Sequence, residues 1–255
     1  MKPSQLGAQM YSFREFIKTP EEVRSTLREI RKMGYEAVQL SSSIAPMPNA
    51  ELSAMLKENN LIPCSSHDPA DRILEVPEEI GKRLQELSCP HCAVPFPPYT
   101  FPASEEEVVN LAKKINQSAQ VLRRFGVTLS YHNHSQEFQH FNGKRMLDII
   151  YANAPDIQAE LDTFWVQRGG DNPERWIRRF PGRTDVLHIK DYGIVPPNEI
   201  VMCPIGDGNL DWDVLLTAAE QCGVKYYVVE HDGNCPDPFE SFRRSAEFLR
   251  KNYIR

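Results

Sequence analysis

Residues 129–138 read LSYHNHSQEF, placing two histidines, an asparagine and a glutamate where an apolar run stops. The pattern recurs along the chain. Other β-rich runs end on Gln9 and Tyr11, on His67, on Asp162, on His188 and on Glu230, with His132 closing the quoted one. Strand interiors of an α/β protein are normally filled with Val, Ile and Leu, and a ring of His, Asp and Glu withdrawn from water needs a compensating charge. A divalent cation supplies one. Imidazole nitrogens mixed with carboxylate oxygens suit Mn, Co, Zn or Fe, with Mg also open, and leave positions for substrate oxygens. Manganese is the ion expected. Each residue has an ordinary explanation when taken alone: Asp162 as the cap of the following turn, His188 as a hydrogen-bonded core histidine, Glu230 as the partner of Lys190. Their recurrence at corresponding strand ends is what points to a site.

Eight β-rich runs carry these residues, at 6–12, 36–40, 61–66, 91–95, 127–132, 157–161, 185–189 and 225–230, and segments of helical periodicity lie between them. The first helix is well punctuated. Thr19 is the N-cap, Pro20 the first helical residue and Glu22 the partner in a capping box; Val23, Leu27 and Ile30 form the apolar stripe, and Gly34 is the stop. A second box, Ser104 with Glu107, opens a helix whose buried face is Val108, Leu111, Ile115, Ala119 and Leu122 and which Gly126 closes. Further helices are expected near 77–88 and 172–180. Eight β-then-α units with short connections predict one (β/α)8 barrel domain over residues 1–255. A doubly wound sheet fits less well, because the first turn, YSFREF, lacks a Gly-rich phosphate cradle. The connection 191–212 exceeds ordinary loop length and reads as a lid or substrate loop.

Composition narrows the partners. The chain has 255 residues and a net charge of −6, which disfavours nucleic acid and anionic lipid, and no apolar run is long enough to span a bilayer. With no apolar signal core behind Lys2, a cytoplasmic location is expected. Six dispersed cysteines read as single thiols, and Cys89 and Cys92, though spaced C-x-x-C, have no second pair to complete a zinc site.

The segments QMYSFRE, GYEAVQL, YHNHSQEF, ELDTFWV, LHIKDYG, PIGDGNLDW and VVEHD together resemble the xylose isomerase-like TIM barrel superfamily. Sugar phosphate isomerases and epimerases, inosose dehydratases and endonuclease IV belong to it. The resemblance implies a cation held by Asp162, His188 and Glu230, together with a Glu ending strand five. His132 stands at that last position. Either His132 is the fourth ligand or Glu137 reaches back; the strand position, being rigid, favours His132. The implied activity is isomerisation or epimerisation of a keto-sugar by proton abstraction beside a cation-polarised carbonyl, with β-elimination from a keto-cyclitol or 3-keto-glycoside as the alternative. Glu230, His132 and His134 are candidate acid/base groups, and Lys190 is the candidate oxyanion partner. Gln9, Tyr11, His67, Glu137, Trp165 and Lys190 are candidate substrate contacts, with Phe13 and Trp165 offering an apolar wall. Losing one strand-end Glu weakens two-carboxylate epimerisation. An endonuclease IV-like role is disfavoured, since Thr-Phe-Trp follows Asp162 and 191–212 holds no histidine. A sugar-binding barrel without catalysis is the reading of a different class, and by analogy with related barrels a homo-oligomer is open.

Overall fold

The computed structural model describes residues 1–98, 101, 102, 104–233, 235 and 237–255. Eight parallel strands form its centre: β1 (Leu6–Gln9), β2 (Ala37–Ser41), β3 (Ile62–His67), β4 (His91–Val94), β5 (Thr128–His132), β6 (Gln158–Glu160), β7 (Val186–Ile189) and β8 (Tyr226–Val229). Neighbours in sequence pair in parallel from β1 to β6, β7 pairs with β8, and β8 pairs with β1. The seam between β6 and β7 is held by one parallel bridge, Asp162 with His188, and by His188 N–H donating to Leu161 O at 2.8 Å. The result is a nearly closed (β/α)8 barrel, a TIM barrel, as the alternation of elements predicts. No helix among the described residues is long and apolar enough to cross a membrane.

Helices α1 (Pro20–Met33), α2 (Asn49–Glu58), α3 (Ala70–Glu75), α4 (Pro77–Glu86), α5 (Glu105–Leu122), α6 (Met146–Asn153), α7 (Thr163–Arg168), α8 (Pro173–Arg179), α9 (Trp212–Gln221) and α10 (Pro238–Asn252) surround the sheet. Both halves of the Thr19 capping box form, and Gly34 ends α1 at φ 100°, the left-handed conformation glycine adopts without steric cost. At α5 the Ser104 hydroxyl accepts from Glu107 N–H at 3.2 Å. That helix ends at Leu122, and a 3-10 turn, Arg123–Phe125, carries the chain to Gly126 at φ 74°.

Side chains alternate across a strand, so residues two apart share the barrel interior and stack in layers. At the lower end Ala37, Cys64, Val186 and Val228 form a small apolar layer. Two steps up from it come Gln39, His188 and Glu230, and β6 climbs through Gln158 and Glu160 to Asp162. The polar groups therefore lie at the C-terminal mouth because their strands place them there.

Two expectations are corrected. The first strand stops at Gln9, whose side chain accepts from Tyr11 N–H at 3.2 Å and turns the chain into the 3-10 segment Met10–Phe16. Phe13 thereby enters the core against Phe239 and Phe242, at ring distances of 5.0 and 4.6 Å, instead of walling a cavity. The second is 191–212, which is no open loop: Asp191–Val195 and Glu199–Cys203 pair as an antiparallel ribbon. Asp191 anchors it by accepting from Gly206 N–H at 3.0 Å, Gly208 N–H at 3.2 Å and the Trp212 indole at 2.7 Å. A Cβ at position 208 would lie 2.2 Å from that carboxylate, so the second glycine of the G-x-G segment allows the close approach.

Candidate active site

A cavity of about 510 Å³ opens at the C-terminal mouth. Its charged and polar walls are His67, His132, His134, Glu230, Asp232 and Arg168; Tyr11, Phe96 and Trp165 supply aromatic surface, Ser41 and Ser42 hydroxyls, and Met202 reaches in from the ribbon.

At the base of this cavity His132, Asp162, His188 and Glu230 converge, one ligand atom from each lying within 4.8 Å of the others. Each comes from a different strand end, β5 to β8. Both ring nitrogens of His132 are buried without a hydrogen-bond partner, and the Oδ2 of Asp162 faces them from 3.5 Å while meeting the Lys190 ammonium at 3.0 Å. Asp162 Oδ1 meanwhile accepts from Trp165 N–H at 2.9 Å and caps α7, so capping uses one oxygen of the carboxylate and leaves the other in the cluster. Burial first, then the neighbouring His188 and His67, hold the His132 imidazole well below its ordinary pKa and hence neutral, the form that ligates a metal. Two imidazoles and two carboxylates fit Mn, Zn, Co or Fe.

Lys190 shares these carboxylates. Its ammonium is fully buried, 3.0 Å from Asp162 Oδ2, 3.1 Å from Glu230 Oε2 and 2.8 Å from Asp232 Oδ2. Burial opposes its charge, yet the three carboxylates raise its pKa and keep it protonated. Burial likewise opposes ionisation of Glu230, and Lys190 and His188 overcome it, holding the carboxyl well below the usual range. Asp232, two residues beyond Glu230, is raised by burial and by its carboxylate neighbours, with Lys190 acting against them; its Oδ1 is buried without a hydrogen bond.

Beneath the cage lies a second polar layer. Glu160, fully buried, accepts from Gln39 Nε2 at 2.9 Å and meets His67 Nε2 at 2.5 Å. Gln39 Oε1 accepts from Gln9 Nε2 and faces His188 Nε2 at 2.6 Å, while His188 Nδ1 lies 2.8 Å from Glu230 Oε2. Against the cost of burial, Glu230 and Glu160 push His188 up to about 10. These carboxylate and amide partners fix the orientation of the His188 ring, as outer partners do around metal-bound histidines.

The sequence-derived residues thus separate into three groups. His132, Asp162, His188 and Glu230 meet, with Lys190 among them. His67, His134, Tyr11 and Trp165 line the cavity, Tyr11 from the 3-10 segment and not from a strand. Gln9 and Glu137 stand apart. Gln9 is fully buried in the lower layer, bonded to Gln39. Glu137 turns away from the cavity: its carboxylate accepts from Tyr131 Oη at 3.0 Å and His134 N–H at 2.8 Å, bracing the turn after β5. Burial raises its pKa to about 7. His132 therefore fills the fourth place in the cluster. Sequence reasoning missed Glu160, Asp232 and Arg168. Glu160 and Asp232 lie two residues from Asp162 and Glu230, which was the available signal; Arg168, at the end of a short helix, left none.

A sequence profile of the xylose isomerase-like TIM barrel matches residues 27–252. No curated protein sequence matches the chain. Among solved structures, it is similar to a sugar phosphate isomerase/epimerase from Parabacteroides distasonis, with TM-score 0.82, 20% identity and coverage of 97% of this chain and 94% of the other. It is also similar to an L-ribulose 3-epimerase, with TM-score 0.72, 15% identity and coverage of 98% and 93%. A probable 3-DHS dehydratase from Bacillus anthracis gives TM-score 0.75 at 11% identity, with coverage of 99% and 100%.

Proposed function

The chain belongs to the xylose isomerase-like TIM barrel family, and from that premise we propose that it is a divalent-metal-dependent isomerase of a keto-sugar or related carbohydrate. The observation that carries the reading is the convergence of His132, Asp162, His188 and Glu230 within 4.8 Å at the base of a cavity of about 510 Å³, large enough for a monosaccharide. These four side chains would hold the ion, with Mn the first candidate. An ion there supplies a Lewis acid for a carbonyl and the adjoining hydroxyl.

The residues around it divide the remaining work. Trp165, whose ring centroid lies 5.2 Å from both the His134 ring and the Lys190 ammonium, offers a flat face for the sugar. The Lys190 charge stabilises the oxyanion that develops as the proton on the neighbouring carbon leaves. Proton transfer falls to a carboxylate at the end of β8, where Glu230 and Asp232 both reach the cavity. His134 has a pKa lowered to about 3 by burial and by His132, and is a neutral imidazole able to steer a hydroxyl.

Both cavity-lining carboxylates among the described residues come from the segment just after β8. A base confined to one side of the substrate returns a proton to the same face, which suits transfer between adjacent carbons better than epimerisation, where opposite faces must be served. β-Elimination from a keto-cyclitol or 3-keto-glycoside also needs only a one-sided base, and is the second reading. Incubating the manganese-loaded protein in D2O with a panel of keto-sugars and keto-inositols tests the proposal. Deuterium entering next to the carbonyl is expected; no uptake from any of them would leave a non-catalytic sugar-binding barrel as the better description.

A further inference from the structure

Three arginines of the segment 168–179 meet carboxylates: Arg175 with Asp171, Arg178 with Glu174 and Arg179 with Asp148. Arg168 does not. Its guanidinium lies over two rings, 5.3 Å from the Trp165 centroid and 5.9 Å from that of Phe164, and it has no ion pair among the described residues. It nevertheless lines the cavity. A guanidinium that faces aromatic rings and no carboxylate has N–H groups to spare, and their edge matches the two oxygens of a phosphate or carboxylate.

We infer that Arg168 is the receptor for an anionic group, a phosphate or a carboxylate, carried by the substrate at the end remote from its carbonyl. The inference rests on the cavity being the substrate site. Its geometry follows from one indole: the Lys190 ammonium is 5.2 Å and the Arg168 guanidinium 5.3 Å from the Trp165 centroid, so the two cations are no farther apart than those distances together. A five- or six-carbon chain with a terminal anion covers that span. Charge also sets the direction of entry. At the base of the cavity Asp162, Glu230 and Asp232 already surround the Lys190 ammonium, whereas Arg168 is an exposed cation at the rim with no carboxylate partner among the described residues. An anionic tail is therefore left at Arg168 while the uncharged carbonyl end goes down to the cage.

Calorimetric titration of the full-length protein with a ketohexose, its 6-phosphate and the corresponding hexulosonate tests this. At least one charged probe should bind about tenfold or more tightly than the neutral parent, the scale of one charge-assisted contact. Arg168→Gln should abolish that preference and Arg168→Lys restore part of it. Arg28→Gln, which removes the same charge from the outer face of α1, should leave it intact. Whichever probe shows the preference identifies the group as phosphate or carboxylate. No preference in the wild type, or one that survives Arg168→Gln, overturns the inference. Asp162→Asn, which disables the cage, should keep the preference, so failure of the metal-dependent reading and failure of the anion receptor register separately.

Discussion

Two polar layers occupy the upper barrel interior, and they differ in how completely they are satisfied. In the lower layer Gln9, Gln39, Ser65, His67, Ser130 and Glu160 bond one another, and none has a buried polar atom without a hydrogen-bond partner. At the level of the cavity both nitrogens of His132, His134 Nδ1, Trp165 Nε1 and Asp232 Oδ1 lack one. An unsatisfied buried polar atom costs about 1–3 kcal/mol, so several gathered at one place mark where a ligand's polar groups would be accepted. The lower layer is completed by folding. The upper one is not.

Substitutions should separate the two layers by what they damage. Glu160→Gln removes the charge that His67 and His188 face, and should lower stability by about 3–5 kcal/mol in a denaturant titration, the range for breaking a buried ion pair. An unchanged midpoint would place Glu160 outside the structural layer. Asp162→Asn keeps an N-cap for α7, because asparagine caps as well as aspartate, but loses the ligand charge. Lys190 keeps Glu230 and Asp232 as partners, so the folding midpoint should fall less than in Glu160→Gln, while manganese affinity, followed by electron paramagnetic resonance, falls about 100-fold or more, beyond the loss typical of an outer partner.

Glu137 is a buried carboxylate outside both layers. Its pKa in the folded chain, about 7, lies above the ordinary 4.5, so the folded state binds the proton more tightly than the unfolded one. The stability it contributes is complete below pH 4.5 and is lost as the pH rises to 7, a drop of about 3 kcal/mol that Glu137→Gln should flatten. A slope between pH 4.5 and 7 that persists in the variant would assign the proton elsewhere. The smallest change is expected from His132→Leu. Two unsatisfied nitrogens disappear and an apolar side chain takes their space, so thermal unfolding should shift by less than the equivalent of about 1 kcal/mol, or upward. A large destabilisation would place His132 with the satisfied layer.

Much of this was legible in the sequence, and what was hidden follows a physical rule. Strand ends such as His132, Asp162, His188 and Glu230 could be found because alternation and the barrel's order fix where a strand end must lie. Thr19, Pro20 and Gly34 bounded α1 because capping is decided within a few residues. Glu160 belongs to a network whose members come from β1, β2, β3, β5, β6 and β7, and only the register between strands brings them together. Gln9 ended β1 early through a bond from its own side chain to Tyr11 N–H, a local competitor to the sheet that the apolar run concealed. The ribbon within 191–203 was masked by Pro196, Pro197 and the glycines around it, which read as loop although Asp191 ties the segment down. Glu137 drew attention by its distance along the chain from His132, but its direction was set by Tyr131.

The central claim is that four strand ends form a cation cage. Equilibrium dialysis against manganese, with the ion counted per chain by elemental analysis, tests it most directly when wild type and His132→Leu are run side by side. One ion per wild-type chain and a large loss in a variant that remains folded is the expected pair of results. Wild-type protein that retains no divalent ion, or a variant that retains as much as the wild type, would contradict the cage.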